Sequence, residues 1–348
     1  MAEAKIYVPA TSTTSPARTY NQVHHPRKYV AGRRRVSIYV CWSFPGEVNR
    51  DVSELDNRFS TMTEVRRVEW PFWEGPEWSD PTMFQQGIAG ALELFFRAWM
   101  PFQQLAEEVT GNLVPVFQRV DQAGYRLPLD ERVLDDADTL LVFGLDHLLT
   151  EQEASSEEID AVRRWLTREG TVLILGPHHD VGISADLNER AMEYAHHGDA
   201  LVPRQQRFGK YTRSLMKGLG VPVENRFGLR PGVVEGTRQI APLTINRDLD
   251  KRGWLEGVTH FSFHKHLPHY AVTTDGNSVH VLGRQPIDLS KPHPFTEAGN
   301  SAFNSFVWMP AEGARGGEVL LADSTIFSTL FGADDSLKRF WKNLVSAR

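Results

Sequence analysis

The sequence predicts an α/β protein built on a parallel sheet that is covered on both faces. Two short apolar runs carry this prediction, Thr139–Phe143 and Thr171–Leu175, and a glycine follows each of them directly. Continuous apolar runs of this length are typical of strands that are buried on both faces of a parallel sheet. The segment between them has the pattern of a helix, so the three segments together predict a strand–helix–strand unit.

The helix of this unit is predicted from its two ends. Ser155 is followed three residues later by Glu158, which is the spacing of a capping box at a helix N-terminus. Ile159 and Val162 then fall on one helical face. Gly170 stands where a helix C-terminus favours a residue that can adopt a positive φ. Two parallel strands joined by a helix form a right-handed crossover, and sites in such sheets lie at the carboxyl ends of the strands.

The other elements follow the same rules of periodicity and capping. Ser184 is a candidate cap for a helix over Ser184–Ala195, and His196–His197 would end that helix, where a cation complements the helix dipole. Short β segments are expected between Val221 and Val281. Further predicted elements include strands at Val36–Trp42, Glu64–Trp70, Leu113–Val120 and Glu318–Ala322, and helices at Tyr211–Leu219 and Ser336–Val345.

These elements suggest a division of the chain into three parts. Residues 1–30 are polar and rich in Thr, Ser and Pro, and they are expected to form a flexible arm. Residues 31–200 and 315–348 are expected to form the α/β domain. Residues 201–314 are then a β-rich insertion or extension in the second half.

Composition limits the classes of function. The net charge of −6 argues against a nucleic-acid surface, and no apolar run approaches the roughly 20 residues that a membrane span needs. The N-terminal residues lack the apolar region of a secretory signal, so a cytoplasmic location is expected. The single cysteine, Cys41, allows no intrachain disulfide and no cysteine-rich metal site. The expected partners are a small-molecule substrate and other subunits in a homo- or hetero-oligomer.

Two parts of the chain resemble the class I glutamine amidotransferase-like superfamily. They are the order strand, helix, strand and sharp loop over residues 138–182 and the ending GGEVLLADSTIFSTLFGADDSLKRFWKNLV. The ending is similar to the non-amidotransferase branch, with its GldG and intraflagellar-transport type domains and its trehalose-utilisation type proteins. The resemblance covers about half of the chain and implies a flavodoxin-like sheet with helices on both faces. The loop after the second strand reads Gly176-Pro177-His178-His179-Asp180 and lacks the family's nucleophilic cysteine, so cysteine-dependent glutamine hydrolysis is excluded.

Histidines in two places are candidate metal ligands. His178 and His179 follow a buried strand, and imidazole is a usual ligand for Zn²⁺. His264 and His266 have the spacing that puts two side chains on one face of a strand. A divalent metal, with Zn²⁺ favoured, is therefore the expected cofactor. The alternative in both places is that the histidines make local hydrogen bonds or face solvent.

Carboxylates and tryptophans complete the candidate site. Asp146 and His147 follow the neighbouring strand and could form a general base with its orienting carboxylate, or only a turn. Asp180 could serve as a base or hold a metal ligand in position. Asp323–Ser324 would lie near the same edge of the sheet. Three aromatic residues are the candidate walls of a substrate pocket, although packing in the core is the alternative: Trp42, Trp70 and Trp73.

Three functions remain open from the sequence. The first is a metal-dependent hydrolase, or part of one, that acts on a small apolar or aromatic molecule at the carboxyl edge of the sheet. The second is a non-catalytic subunit or binding module of a hetero-oligomeric enzyme. The third, by analogy of fold with the trehalose-utilisation type, is a carbohydrate-related protein.

Overall fold

The computed structural model has an eight-stranded sheet with helices and a separate two-stranded antiparallel ribbon. It describes residues 27–42, 98–119, 127–146, 152–197, 209–237, 239–261, 266–276, 278–329 and 332–346. The strands are β1 Val36–Trp42, β2 Val116–Gln118, β3 Thr139–Leu145, β4 Val172–Pro177, β5 Val223–Leu229, β6 Thr244–Ile245, β7 Leu267–Val272, β8 His280–Pro286, β9 Ala302–Met309 and β10 Glu318–Leu321. The helical segments are α1 (98–110), α2 Glu131–Leu134, α3 Ser156–Trp165, α4 Leu187–His197, α5 Lys210–Gly218, α6 Pro294–Glu297, the 3₁₀ turn Ser324–Phe327 and α7 Asp335–Val345.

The parallel part of the large sheet has the strand order β2-β1-β3-β4-β10. This is the order 2-1-3-4-5 of flavodoxin-like folds, so the predicted α/β fold class is confirmed. The antiparallel strands β9, β8 and β6 then extend the sheet beyond β10. The ribbon of β5 and β7 forms its own ladder and packs beside β9, where the Asn304 side chain donates to the Tyr270 carbonyl at 2.9 Å.

The strand–helix–strand unit forms as its sequence predicts. The Ser155 hydroxyl accepts from the Glu158 N–H, and the Glu158 carboxylate accepts from the Ser155 N–H, so the capping box is confirmed. Gly170 adopts a φ of 75° before β4 begins. Every residue of β3 and β4 is buried, because helices cover both faces of the sheet. The two strands end side by side, and the loops that follow them start at one edge.

A separate apolar core lies on each face of the sheet. One core packs α1 and α7 against the strands, with Phe102 meeting Phe327 and Trp341 in edge-to-face contacts. The other core packs α3 and α5 against the opposite face, around Trp165 and Leu215. Burying apolar surface on both faces is the main force that holds such a layered fold together.

A buried ion pair joins the edge of the sheet to the helices of the second core. The Arg119 guanidinium donates to both carboxylate oxygens of Glu158 and lies 3.9 Å from the centroid of the Tyr211 ring. Glu158 also accepts from the Tyr211 hydroxyl at 3.0 Å and from the Leu129 N–H at 2.9 Å. Because each charged group is hydrogen-bonded, the cost of burying the pair is offset.

Two predicted boundaries are wrong. The helix α4 starts at Leu187 with Asp186 as its cap, because the Asp186 carboxylate accepts from the Asn188 N–H at 2.8 Å. Ser184 instead donates to Glu189 ahead of the helix. The predicted strand at Leu113–Val120 is reduced to β2, since Leu113 is exposed rather than packed. The predicted strand Glu64–Trp70 and residues 1–26 of the predicted arm lie outside the described residues.

None of the helices in the described part of the chain has the length and hydropathy of a membrane span.

Candidate metal centre

The candidate site lies where the loops after β3, β4 and β10 leave the carboxyl edge of the parallel sheet. The loop after β4 carries His178, His179 and Asp180, and all three are buried. The C-terminus of α4 and the start of β7 reach this loop from other parts of the chain, and they bring His197 and His266 with them. The edge predicted from the sequence therefore gathers polar groups from three separate segments.

Three imidazoles meet there with the arrangement of a metal site. His179, His197 and His266 are all buried, and one ring nitrogen of each lies within 4.8 Å of the others. The Nε2 atoms of His179 and His197 are 3.3 Å apart. Two nitrogens that bind one tetrahedral Zn²⁺ at about 2.0–2.1 Å are themselves roughly 3.3 Å apart. This pair is thus already at ligand spacing, and the third nitrogen lies within 4.8 Å of both.

His266 makes a hydrogen bond to the backbone of His197, a second member of the cluster. Its Nε2 lies 2.8 Å from the His197 carbonyl oxygen. A carbonyl oxygen only accepts, so Nε2 carries the proton and Nδ1 presents a lone pair. The His266 ring stacks on the His197 ring with the centroids 3.5 Å apart. A ligand histidine that donates its second N–H to a backbone carbonyl is the usual pattern in metal sites.

The backbone of β5 makes room for the His179 ring. A Cβ atom on Gly228 would lie 2.2 Å from Cδ2 and 2.7 Å from Nε2 of His179. The Gly228 N–H donates to the Asp180 carbonyl at 3.0 Å, which fixes β5 against the loop after β4. The ring therefore packs directly on a main chain that has no side chain at that point.

His178 takes a different partner from the adjacent His179. Its Nδ1 lies 3.1 Å from Oδ1 of Asp323, and both side chains are buried. The other carboxylate oxygen of Asp323 accepts from the Thr325 hydroxyl. The rings of His178 and His179 are in contact, with centroids 3.9 Å apart. His178 thus borders the cluster and pairs with the loop after β10.

Asp180 anchors its loop to α5. Its two carboxylate oxygens accept from the Arg213 guanidinium at 2.7 and 2.9 Å. Arg213 is also 3.4 Å from the His178 carbonyl, and Asn225 of β5 donates to that carbonyl at 2.7 Å. These bonds hold the loop, which favours the positioning role among those predicted for Asp180.

Asp146 lies at the end of β3 and caps α5 from outside the helix. Its Oδ2 accepts from the Tyr211 N–H at 2.8 Å, and the helix's own cap residue, Gly209, has no side chain. Among the described residues, Oδ1 of Asp146 has no hydrogen-bond partner. Burial raises the pKa of Asp146 to about 7. The group therefore exchanges its proton near neutral pH, as a general base must.

The raised pKa of Asp146 predicts a specific pH dependence of stability. The unfolded pKa is near 3.9, so the folded state favours the protonated carboxyl. The protonated carboxyl makes its full contribution to the free energy of unfolding below about pH 4, and this contribution is lost as the pH rises to about 7. The total loss is on the order of 4 kcal/mol. Asp146→Asn imitates the protonated form. We expect urea denaturation to show that the variant gains stability over the wild type at about pH 8 but not at about pH 4. An equal difference at both pH values would contradict the raised pKa.

Several predicted site residues remain untested. His147, His264, Trp70 and Trp73 lie outside the described residues. Trp42 is the last residue of β1, at the same edge of the sheet as Asp146. His197 is not among the metal ligands predicted from the sequence, although it belongs to a second adjacent histidine pair, which ends the helix that follows the first pair.

Other buried histidines serve the packing. His196 bonds to the Lys291 carbonyl at 2.8 Å and accepts from the Arg230 N–H at 2.9 Å. His293 caps α6, and burial lowers its pKa to about 3. Burial likewise lowers the pKa of His269 to about 4. His269 and His293 are therefore neutral near pH 7, and they surround Phe227.

Comparison with protein-family models and with curated proteins gives no match. Among solved structures, a ThuA-like protein from Bacteroides uniformis is similar to this chain, with a TM-score of 0.36 and 9% identity over 92% of this chain and 93% of that one. The strand order and the three histidines define the class: a flavodoxin-like α/β protein with a candidate metal centre at the carboxyl edge of its sheet.

Proposed function

We propose that this protein is a metal-dependent hydrolase that acts on a small organic molecule. The observation that carries the proposal is the convergence of His179, His197 and His266. The part of the chain that the structure describes supplies three ligands to this cluster. Three protein ligands with a fourth tetrahedral position for water or substrate are typical of catalytic zinc sites, whereas structural sites use four. A set of three imidazole nitrogens suits Zn²⁺ among the common divalent ions.

Other residues of the chain would hold the metal ligands in place and accept a proton. A bound Zn²⁺ would supply Lewis acidity and lower the pKa of a bound water. The His178–Asp323 pair and the Asp180–Arg213 pair hold the loop that carries His179, so they keep the ligand in place. Asp146, whose pKa is raised to about 7 by burial, is the proposed proton acceptor.

The predicted preference for an apolar or aromatic substrate remains a prediction. It depends on Trp70 and Trp73, which lie outside the described residues. Trp42 ends β1 at the edge where the substrate would bind.

Metal analysis of the full chain, purified without a histidine tag, tests the proposal. We expect roughly one zinc ion per chain, and hydrolysis of a panel of small esters and amides that a chelator abolishes and zinc restores. Less than about a tenth of an equivalent of metal would remove the proposal. Stoichiometric metal without hydrolysis would contradict the enzyme and leave a metal-binding subunit.

A further inference from the structure

The ribbon of β5 and β7 presents one face to the histidine cluster. Gly228 of β5, on which the His179 ring packs, is the register partner of Pro268 in β7. Tyr270 follows two residues after Pro268 and shares its face, because alternate residues of a strand do so, and its register partner in β5 is Asn225. A bulge separates Asn225 from Gly228, and the Asn225 side chain faces the loop after β4, where its amide donates to the His178 carbonyl at 2.7 Å. His266 precedes β7 and falls on the same side as Pro268 and Tyr270 by the same alternation.

This second pair carries polar atoms that have no partner in the described part of the chain. The Tyr270 hydroxyl and the Asn225 Oδ1 are both buried and make no hydrogen bond there. The amide nitrogen of Asn225 is occupied by the His178 carbonyl, which leaves Oδ1 as the unused end of the side chain. Buried polar groups in native proteins are almost always hydrogen-bonded, so each orphan needs an explanation.

The two orphan atoms have complementary hydrogen-bonding characters. Burial raises the pKa of Tyr270 well above its ordinary value, so its hydroxyl stays a donor at neutral pH. The Asn225 Oδ1 is an acceptor only. Asp323, the partner of His178, is close enough to Tyr270 to raise the pKa of the phenol further. The pair thus adjoins the cluster and offers one donor and one acceptor.

We propose that Tyr270 and Asn225 form the polar subsite that holds the substrate beside the metal, and that the substrate carries a carboxamide. A carboxamide has an oxygen that accepts from the Tyr270 hydroxyl and an N–H that donates to the Asn225 Oδ1. This proposal rests on the proposed function for the role of the metal, but the subsite is built from residues that are not in the metal ligand set.

The test uses the full-length chain, the variant Tyr270→Phe and two probes. Acetohydroxamate binds zinc and has an N–H, whereas N-methylacetohydroxamate binds zinc without one. We expect the zinc-loaded wild type to bind acetohydroxamate at least about tenfold more tightly than its N-methyl analogue, and Tyr270→Phe to lose about tenfold for acetohydroxamate. Zinc affinity should stay within about twofold in the variant, because Tyr270 is not a ligand.

Stability separates a ligand-binding hydroxyl from a structural one. Tyr270→Phe removes an orphan hydroxyl, so the urea midpoint should stay equal or rise. Tyr211→Phe is the matched control, because its buried hydroxyl donates to Glu158, and its loss should lower the midpoint while acetohydroxamate binding is kept. A lower midpoint for Tyr270→Phe with unchanged probe binding would overturn the proposal, and would assign the hydroxyl to the fold or to a buried water.

The subsite can be tested in the metal-free protein, independently of zinc binding. Acetamide has no zinc-binding group, and N,N-dimethylacetamide also lacks an N–H. We expect acetamide to raise the urea midpoint of the metal-free wild type more than N,N-dimethylacetamide does, and to have no such effect on Tyr270→Phe. If acetamide shifts the urea midpoint equally in the wild type and in Tyr270→Phe, the subsite is overturned even if zinc binds. If acetamide shifts only the wild type but the protein binds no zinc, only the proposed function is overturned.

Discussion

Replacing His197 with alanine is expected to remove the metal from the protein while leaving its fold intact. His197 supplies one of three ring nitrogens, and its Nε2 lies 3.3 Å from that of His179. If each ligand contributes about a third of the binding free energy of a zinc site, the loss is on the order of 4 kcal/mol, or roughly a thousandfold in affinity. The variant keeps the His197 backbone carbonyl, so the hydrogen bond from His266 survives. Competition with a chromophoric chelator measures the change.

The adjacent residue gives a matched control. His196 is buried in the same last turn of α4, but its two ring nitrogens bond to Lys291 and Arg230 rather than facing the cluster. His196→Ala should therefore keep the zinc and lose about 1–3 kcal/mol of stability, because it leaves buried backbone groups without partners. His197→Ala should show the opposite pattern, with an unfolding temperature that no longer responds to a chelator. Equal zinc affinity in the two variants would show that the three histidines do not bind a metal.

The sequence predicts well the strands and the helix that carry the site, because these elements depend on local patterns. The buried strands β3 and β4, the capping box at Ser155 and the positive φ of Gly170 each follow from residues that are near one another in the chain. The rule that sites lie at the carboxyl ends of parallel strands then directs attention to the loop after β4. His179 lies where that rule places a functional side chain.

The sequence predicts the ligand set only in part, because the set depends on contacts between distant segments. His266 meets His179 only because β5 and β7 form a ribbon that packs against the loop after β4. His197 resembles any cationic residue at a helix C-terminus until the direction of α4 is known. His178, which is adjacent to His179 in the sequence, turns instead to Asp323 in the loop after β10. Which of two adjacent histidines faces the cluster is decided by tertiary packing.

Adding a single methyl group at Gly228 is expected to dismantle the centre without changing any ligand. In Gly228→Ala the new Cβ would lie 2.2 Å from Cδ2 of His179, and no real Cβ tolerates that distance, so the imidazole must leave its position. Gly228 lies in β5 and its backbone is not in the left-handed region, so alanine suits the main chain. We expect zinc affinity to fall about a hundredfold or more, since ligand geometry is held within a few tenths of an ångström, and stability of the metal-free chain to fall about 1–3 kcal/mol from overpacking.

Two further variants show whether the imidazole is the group displaced by Gly228→Ala. Gly276→Ala is the control, because the nearest neighbour of its added Cβ, the Thr274 hydroxyl, lies 3.5 Å away. Zinc affinity and stability should both stay at the wild-type level in this variant. In the double variant Gly228→Ala/His179→Ala the clash partner is absent, so the stability lost in Gly228→Ala should return while zinc stays unbound. A double-mutant cycle in urea measures this coupling directly. If the two substitutions are additive, the methyl group acts on something other than His179, and the ring at position 179 does not bind the metal in the orientation described.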